Sequence, residues 1–227
     1  MFKVFSRFLA VILLAFSSLS NAAIKELPYQ SPPLNSDDKI DVIEFFWYGC
    51  GVCKQLNPLI DEWEKTLPND VNLVRIPAFF GDYWDIHGQI YLTLVAMDAP
   101  HEIHAKIFEN PSIASDKKTI TKFLTENNID AAQFFKIHDS AGIKMQINKY
   151  RKLVRSYRLT SVPSFVVSKY RVASEGASSP KDLFNEIEQL ISAERAIKQN
   201  ALIKKYDDIE QKISAESALK QKQAPQN

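Results

Sequence analysis

A chain of 227 residues is long enough to bury a sizeable core without disulfide staples, and it carries two cysteines. Its 28 Lys and Arg balance 27 Asp and Glu, so there is no basic bias of the kind nucleic acid selects and no acidic tail. Nucleic-acid binding is therefore not expected.

Residues 1–22 read as an export signal. Lys3 and Arg7 form a basic start, Phe8 to Phe16 a short apolar run, and Ser20-Asn21-Ala22 a small-residue cleavage site before Ala23. The apolar run falls short of the roughly 20 residues that span a bilayer. With no cysteine at the cleavage point, no lipid anchor is expected there. Cleavage leaves 26 bases against 27 acids. The expectation is one exported, soluble domain with room for a subdomain.

Residues 23–39, with Pro28, Pro32 and Pro33, read as an extended lead-in with room for one edge strand. Ile40 to Tyr48 is apolar on both faces, as in a central strand covered on both sides, and Glu44 is the exception. The run reaches Gly49 and then Cys50-Gly51-Val52-Cys53. A helical pattern follows, with Cys53, Leu56, Leu59, Ile60 and Trp63 on one face, a kink expected at Pro58 and an end near Leu67-Pro68. Val71 to Ile76 reads as a strand stopped by Pro77.

From Gly81 to Arg158 the pattern is helical. Helices are expected at Trp84–Met97, Glu102–Phe108, Thr119–Glu126, Ala131–Ile137 and Ser140–Tyr157. Strands return at Phe165–Val167 and Tyr170–Ala173, with a turn near Ser168-Lys169. Ser179-Pro180 supplies an N-cap and first helical residue, with Leu183, Phe184, Ile187, Leu190 and Ile191 turned inward. The predicted organisation is 1–22 signal, 23–80 first part of an α/β domain, 81–158 helical insertion, 159–191 second part and 192–227 extension. In the extension, Leu202, Tyr206, Ile209 and Ile213 have coiled-coil spacing over too few heptads for a seam. A charged, partly helical tail is expected rather than a dimerisation device. Strand–helix–strand, helical block, hairpin and helix together make a thioredoxin-like α/β fold interrupted by an inserted all-helical subdomain.

Strand, tight turn, C-x-x-C and helix is the local order of a thiol–disulfide redox site. Cys50 would sit at the helix N-cap, where unpaired N–H groups and the helix dipole stabilise a thiolate. Cys53 would lie one turn along, within disulfide reach and mostly covered. Half a zinc site or an inert local disulfide are the bland alternatives. Zinc needs about two more ligands, and only carboxylates and His87, His101, His104 and His138 remain. His101 and His104 form H-x-x-H with nothing nearby to complete a set. The histidines are therefore read as surface residues of the helical block, and no metal is expected.

Val162-Pro163 is the second feature. It is either a simple extended lead-in to a strand or a cis-proline beside the cysteines that leaves the Val162 backbone free to pair with substrate. Glu44, a charge in a central strand, needs pairing or protonation; with a raised pKa it would take the proton from Cys53. Arg75 is placed either to pair with it or to sit solvated at a strand end. Phe45, Phe46 and Trp47 are expected mostly in the core, and Tyr48 exposed beside the turn as a substrate contact.

EFFWYGCGVC, the helical insertion and SVPSFVV together resemble the DsbA family of periplasmic disulfide oxidoreductases, up to about Ser192. The resemblance implies Cys50 as nucleophile, Cys53 as resolving thiol, Val162 and Pro163 as the substrate-side loop and Glu44 as the acid beneath the site. It also implies no cofactor beyond the Cys50–Cys53 disulfide, reduced exported proteins as substrates, a DsbB-like membrane oxidase as partner and a periplasmic location. Two features depart from it. Gly51-Val52 stands where DsbA proteins typically carry Pro-His, so a less stable thiolate and a weaker oxidant are expected. CGVCKQLNPLIDEW also resembles the CGPC helix of thioredoxins, which are mainly reductants. Disulfide donation is expected from the architecture. A reductase or isomerase with the same residues, or a chaperone-like peptide binder, are the alternatives.

Overall fold

The computed structural model describes residues 24–26, 39–114, 116–168, 170–173 and 177–223. The expected export signal and most of the proline-rich lead-in lie outside the described residues. The elements are β1 (Ile24–Glu26), β2 (Ile40–Phe46), α1 (Gly51–Glu64), β3 (Val71–Pro77), α2 (Asp82–Ala96), α3 (His101–Glu109), a 3-10 turn (Pro111–Ala114), α4 (Lys117–Glu126), α5 (Ala131–His138), α6 (Ala141–Ser156), β4 (Ser164–Val167), β5 (Tyr170–Ala173) and α7 (Pro180–Gln223).

The strands form one sheet in the order β1-β5-β4-β2-β3. β2 and β3 run parallel, joined through α1, while β4 and β5 return antiparallel. β1 and β3 are the two edge strands, β1 antiparallel to β5. Central β2 alternates its side chains between two cores. Ile40 and Val42 pack with Leu56, Ile60 and Trp63 of α1 and Leu183, Ile187 and Ile191 of α7. Ile43 and Phe45 pack on the opposite face with Leu92 of α2 and Ile143, Ile147 and Val154 of α6. Each fully buried aliphatic of this kind contributes about 1.5–3 kcal/mol. Asp41 is a second acid within β2, but it sits near the strand's start and is only partly covered.

Phe46 and Tyr48 leave the end of β2 to join a third core with Ile90, Leu94, Ile103, Ile107, Phe108, Phe123, Leu124 and Phe134, built by the helices between β3 and β4. Short polar side chains start those helices. Asp116 accepts from Thr119 N at 2.9 Å, Asp130 from Gln133 N at 3.0 Å and Ser140 from Ile143 N at 3.3 Å, each satisfying an otherwise orphaned donor. Ser168 turns β4 into β5 with φ +54°.

Through the described residues the extension is helical: α7 runs unbroken from Pro180 to Gln223, and the Ser179 hydroxyl before it accepts from Asp182 N at 3.2 Å. Arg195 clamps it to Asp70 with bonds of 2.6 and 3.0 Å. Every side chain from Ala196 to Glu216 is exposed. Among the described residues no helix is long and apolar enough to cross a membrane.

Candidate active site

The turn after β2 delivers Cys50 to the N-terminus of α1. Cys50 N donates to Trp47 O at 3.0 Å, and Lys54 N closes the first helical turn on Cys50 O at 3.0 Å. Cys50 is the N-cap itself, with extended φ −90° and ψ 113°, and its sulfur accepts from Cys53 N at 3.1 Å. A sulfur therefore takes the place usually held by a serine or aspartate oxygen.

Both cysteines are free thiols with opposite environments. Cys50 is half-buried. Its hydrogen bond with the Cys53 thiol, then the backbone N–H groups of Cys53 and Val52, lower its pKa to about 7 against the opposing effect of partial burial. Cys53 is 0% exposed, and burial first, then its hydrogen bond to Cys50, push its thiol far up. At neutral pH one sulfur is poised as thiolate while the other keeps its proton. Val52, 47% exposed, offers the thiolate no side-chain donor or charge.

The Val162-Pro163 peptide is cis, and the Cys50 thiol donates to Val162 O across 3.5 Å. The loop before β4 and the N-terminus of α1 thus meet at the sulfur, although 112 residues separate these two partners. Pro163 is buried and Val162 half-buried.

Beneath the cysteines lies an ionic cluster. Glu44, 0% exposed, stands opposite Arg75 in the parallel β2–β3 ladder and takes its Nε–H at 2.6 Å. Arg75 also donates to Asp61 Oδ1 at 3.0 Å and Asn57 Oδ1 at 2.8 Å, and His101 Nε2 lies 3.3 Å from the same guanidinium. Glu44 Oε1 is buried with no hydrogen-bond partner. Burial raises the Glu44 pKa above the ordinary carboxylate value, outweighing Arg75, which lowers it. Its charge in turn raises both cysteine thiols, so the carboxyl is electrostatically coupled to the pair. Of the two placements open to Arg75, the structure adopts the ion pair. Asn57 and Asp61 were not among the expected site residues; their signal was the spacing of four from Cys53 through Asn57 to Asp61, which puts all three on one side of α1.

Two expectations about exposure are corrected. Tyr48 is 1% exposed, packed edge-on against Phe46 and Phe108, with its hydroxyl 2.5 Å from His104 Nδ1. It points into the helical core because it keeps Phe46's side of the chain, so it offers substrate no surface. His87 and His104 are buried rather than on the surface. Burial first, then His101 and Arg75, lower the His104 pKa to about 4, so this ring stays neutral. His101 turns to Asp61 at 3.4 Å instead. Among the described residues no group of three or more His, Cys, Asp or Glu is placed to hold a metal.

No family model matches the sequence. Relatives do. The DsbA thiol:disulfide interchange protein of Pseudomonas syringae pv. tomato is 39% identical over 174 residues, 74% of this chain and 81% of that one. The corresponding protein of Azotobacter vinelandii is 39% identical over 192 residues, covering 79% and 88%. The crystal structure of Pseudomonas aeruginosa DsbA superposes with a TM-score of 0.74 at 36% identity, covering 78% of this chain and 94% of that one. With its sheet, its helical insert and a C-x-x-C pair at the head of α1, the chain belongs to the DsbA family of thiol:disulfide interchange proteins, and Cys50–Cys53 is the pair through which it exchanges disulfides.

Proposed function

We propose that the protein donates its Cys50–Cys53 disulfide to reduced polypeptides exported to the periplasm. One observation carries the assignment of roles: a half-buried Cys50 with its pKa lowered to about 7, backed by a fully buried Cys53 whose thiol is pushed up. In the oxidised protein a substrate thiolate attacks Cys50, and the Cys50–Cys53 bond breaks. Cys53 leaves and takes a proton, for which Glu44 is the nearby donor; Glu44 takes it back whenever Cys53 attacks in reverse. A second substrate thiolate then attacks the substrate sulfur of the mixed disulfide. Cys50 departs as a thiolate, which its lowered pKa favours. Two electrons pass from the substrate dithiol to the protein, leaving a substrate disulfide and the Cys50–Cys53 dithiol. The Val162 backbone, held by Pro163 beside the sulfur, pairs with the extended substrate. A DsbB-like membrane oxidase returns the dithiol to the disulfide.

One observation favours a second reading, as a reductase. A Cys50 pKa of about 7 matches that of thioredoxin, roughly 7, rather than the roughly 3.5 of the DsbA best known for oxidation.

Mixing the oxidised mature protein with an equimolar amount of a reduced, unfolded test protein distinguishes the two. Donation predicts that about one disulfide appears in the test protein per chain consumed, counted by thiol titration. Persistence of the test protein's thiols, with reduction of an added disulfide substrate by the dithiol form, supports the reductase instead.

A further inference from the structure

We propose that the basic outer face of α6, which ends beside the Val162 loop, captures acidic segments of the polypeptides that the protein oxidises; the inference rests on the reading of polypeptides as the substrate.

From Ser140 to Ser174 the chain carries eight Lys and Arg and no Asp or Glu, although the protein without its signal has 26 bases against 27 acids. Six of the eight lie between Lys144 and Arg158, in α6 and the turn that ends it. Helical spacing separates them from the core residues. Ile143, Ile147, Tyr150 and Val154 are buried, while Lys144, Lys149, Lys152, Arg155 and Arg158 are exposed. Arg151 bonds Asp85, and Asp139, just before the helix, bonds His138 at 2.7 Å. None of the five exposed cations has an ion-pair partner among the described residues.

Local helix chemistry does not account for this. The helix dipole favours Arg155 in the last turn, but Lys144, near the start, opposes it. Lys149, Lys152, Arg155 and Arg158 follow one another at intervals of three, so each repels the next. Mutually repelling cations with no acid among them create a field that an anionic partner relieves.

The face is continuous with the active site. Arg158 N donates to Arg155 O at 3.0 Å and Leu159 N to Val154 O at 3.1 Å, closing the helix in a defined turn. Val162, whose carbonyl takes the Cys50 thiol at 3.5 Å, follows four residues after Arg158. Four residues of chain reach at most about 14 Å, and the same holds for an extended substrate. A polypeptide joined to Cys50 and paired with Val162 can therefore set carboxylates about four to seven residues from its own cysteine on Arg158 and Arg155. That continuity names the occupant: a polypeptide exchanging with Cys50 is already there, and carboxylates are the anions it carries. Each guanidinium can take a carboxylate through two parallel N–H groups.

The test uses two reduced peptides, each with two central cysteines, differing only in Glu or Gln at the outer positions on both sides. Rates with oxidised mature protein are corrected by each peptide's rate with hydroxyethyl disulfide, an uncharged oxidant. The Glu peptide should be oxidised about tenfold faster at low salt. At about 1 M salt, where charges act over only about 3 Å, the ratio should approach one. Combining Lys152→Gln, Arg155→Gln and Arg158→Gln should abolish the preference at low salt and leave the Gln peptide's rate unchanged. Arg155→Gln alone should lower the preference in the same direction, and it serves if the triple variant does not fold. An undiminished preference in the folded variants, or equal rates for both peptides with wild type, overturns the role of α6. Equal rates together with salt-sensitive binding to phosphatidylglycerol vesicles overturn it in favour of an anionic bilayer. Wild type that oxidises dithiothreitol but neither peptide overturns the polypeptide reading beneath it, so the two failures are distinguishable.

Discussion

Cys50→Ser is expected to lose disulfide exchange by at least about a thousandfold, the scale that follows removal of a reacting nucleophile. The substitution is chosen for what it preserves. Cys50 caps α1 through its sulfur, and serine is among the best N-cap residues, so the introduced hydroxyl can take over the bond from Cys53 N. The site is only half-buried, so little packing is lost. A thermal midpoint within a few degrees of wild type, with oxidation of the reduced test protein at background, assigns the loss to the sulfur. Cys53→Ser should behave differently. With the resolving thiol gone, the Cys50 thiolate can still attack an added disulfide-bonded polypeptide, displacing one of its two sulfurs as a thiolate, but no Cys53 thiol remains to attack the mixed disulfide in turn, so covalent adducts with that substrate should accumulate on non-reducing gels. Exchange that survives in the folded Cys50→Ser protein contradicts the assignment.

The second large effect is on stability. Arg75→Ala removes the partner of a fully buried carboxyl and leaves Asp61 and Asn57 short of a donor. Breaking a buried ion pair from one side costs about 3–5 kcal/mol, because the remaining charge is stranded. The pH dependence has a definite sign. Burial already raises the Glu44 pKa above its ordinary 4.5, and removing the opposing guanidinium raises it further. The folded variant then holds a proton that the unfolded chain gives up, so its stability falls as pH rises from about 4.5 toward the folded-state pKa. The deficit relative to wild type should be small in acid and largest at neutral pH and above, as read by urea titration. Adding Glu44→Gln to Arg75→Ala should recover much of it at neutral pH. A deficit independent of pH would mean that the loss comes from packing alone.

The sequence carried the site further than it carried the site's surroundings. Cys50 and Cys53 were legible because C-x-x-C between an apolar strand and an amphipathic helix has few other uses. Glu44 stood out because a charge in a covered strand demands an explanation, while Arg75 was placed equally well to pair with it or to stay solvated at a strand end. The pairing itself required the β2–β3 register, which no local pattern contains. Tyr48 failed for a related reason: proximity to the turn suggested exposure, but its direction follows from continuing the alternation of Phe46 into a core that exists only once the inserted helices are packed. His87 and His104 were misplaced by the same packing. Helix positions, by contrast, followed closely from apolar periodicity. The tail's continuous helix did not, because a low-complexity, charged segment has no apolar face packed on the body to mark its extent.

These pieces converge on how strongly the dithiol form is stabilised. A cap hydrogen bond and backbone donors favour the Cys50 thiolate, while the Val52 side chain adds nothing, so the pair should oxidise more weakly than the DsbA at about −120 mV and still well above thioredoxin at about −270 mV. Equilibrating the mature protein with graded glutathione buffers and quantifying the Cys50–Cys53 dithiol measures this directly. Disulfide donation predicts a reduction potential more positive than about −200 mV, on the oxidising side of the glutaredoxins. A potential at about −200 mV or lower, towards that of thioredoxin, contradicts it and makes the pair a source of electrons rather than of disulfides.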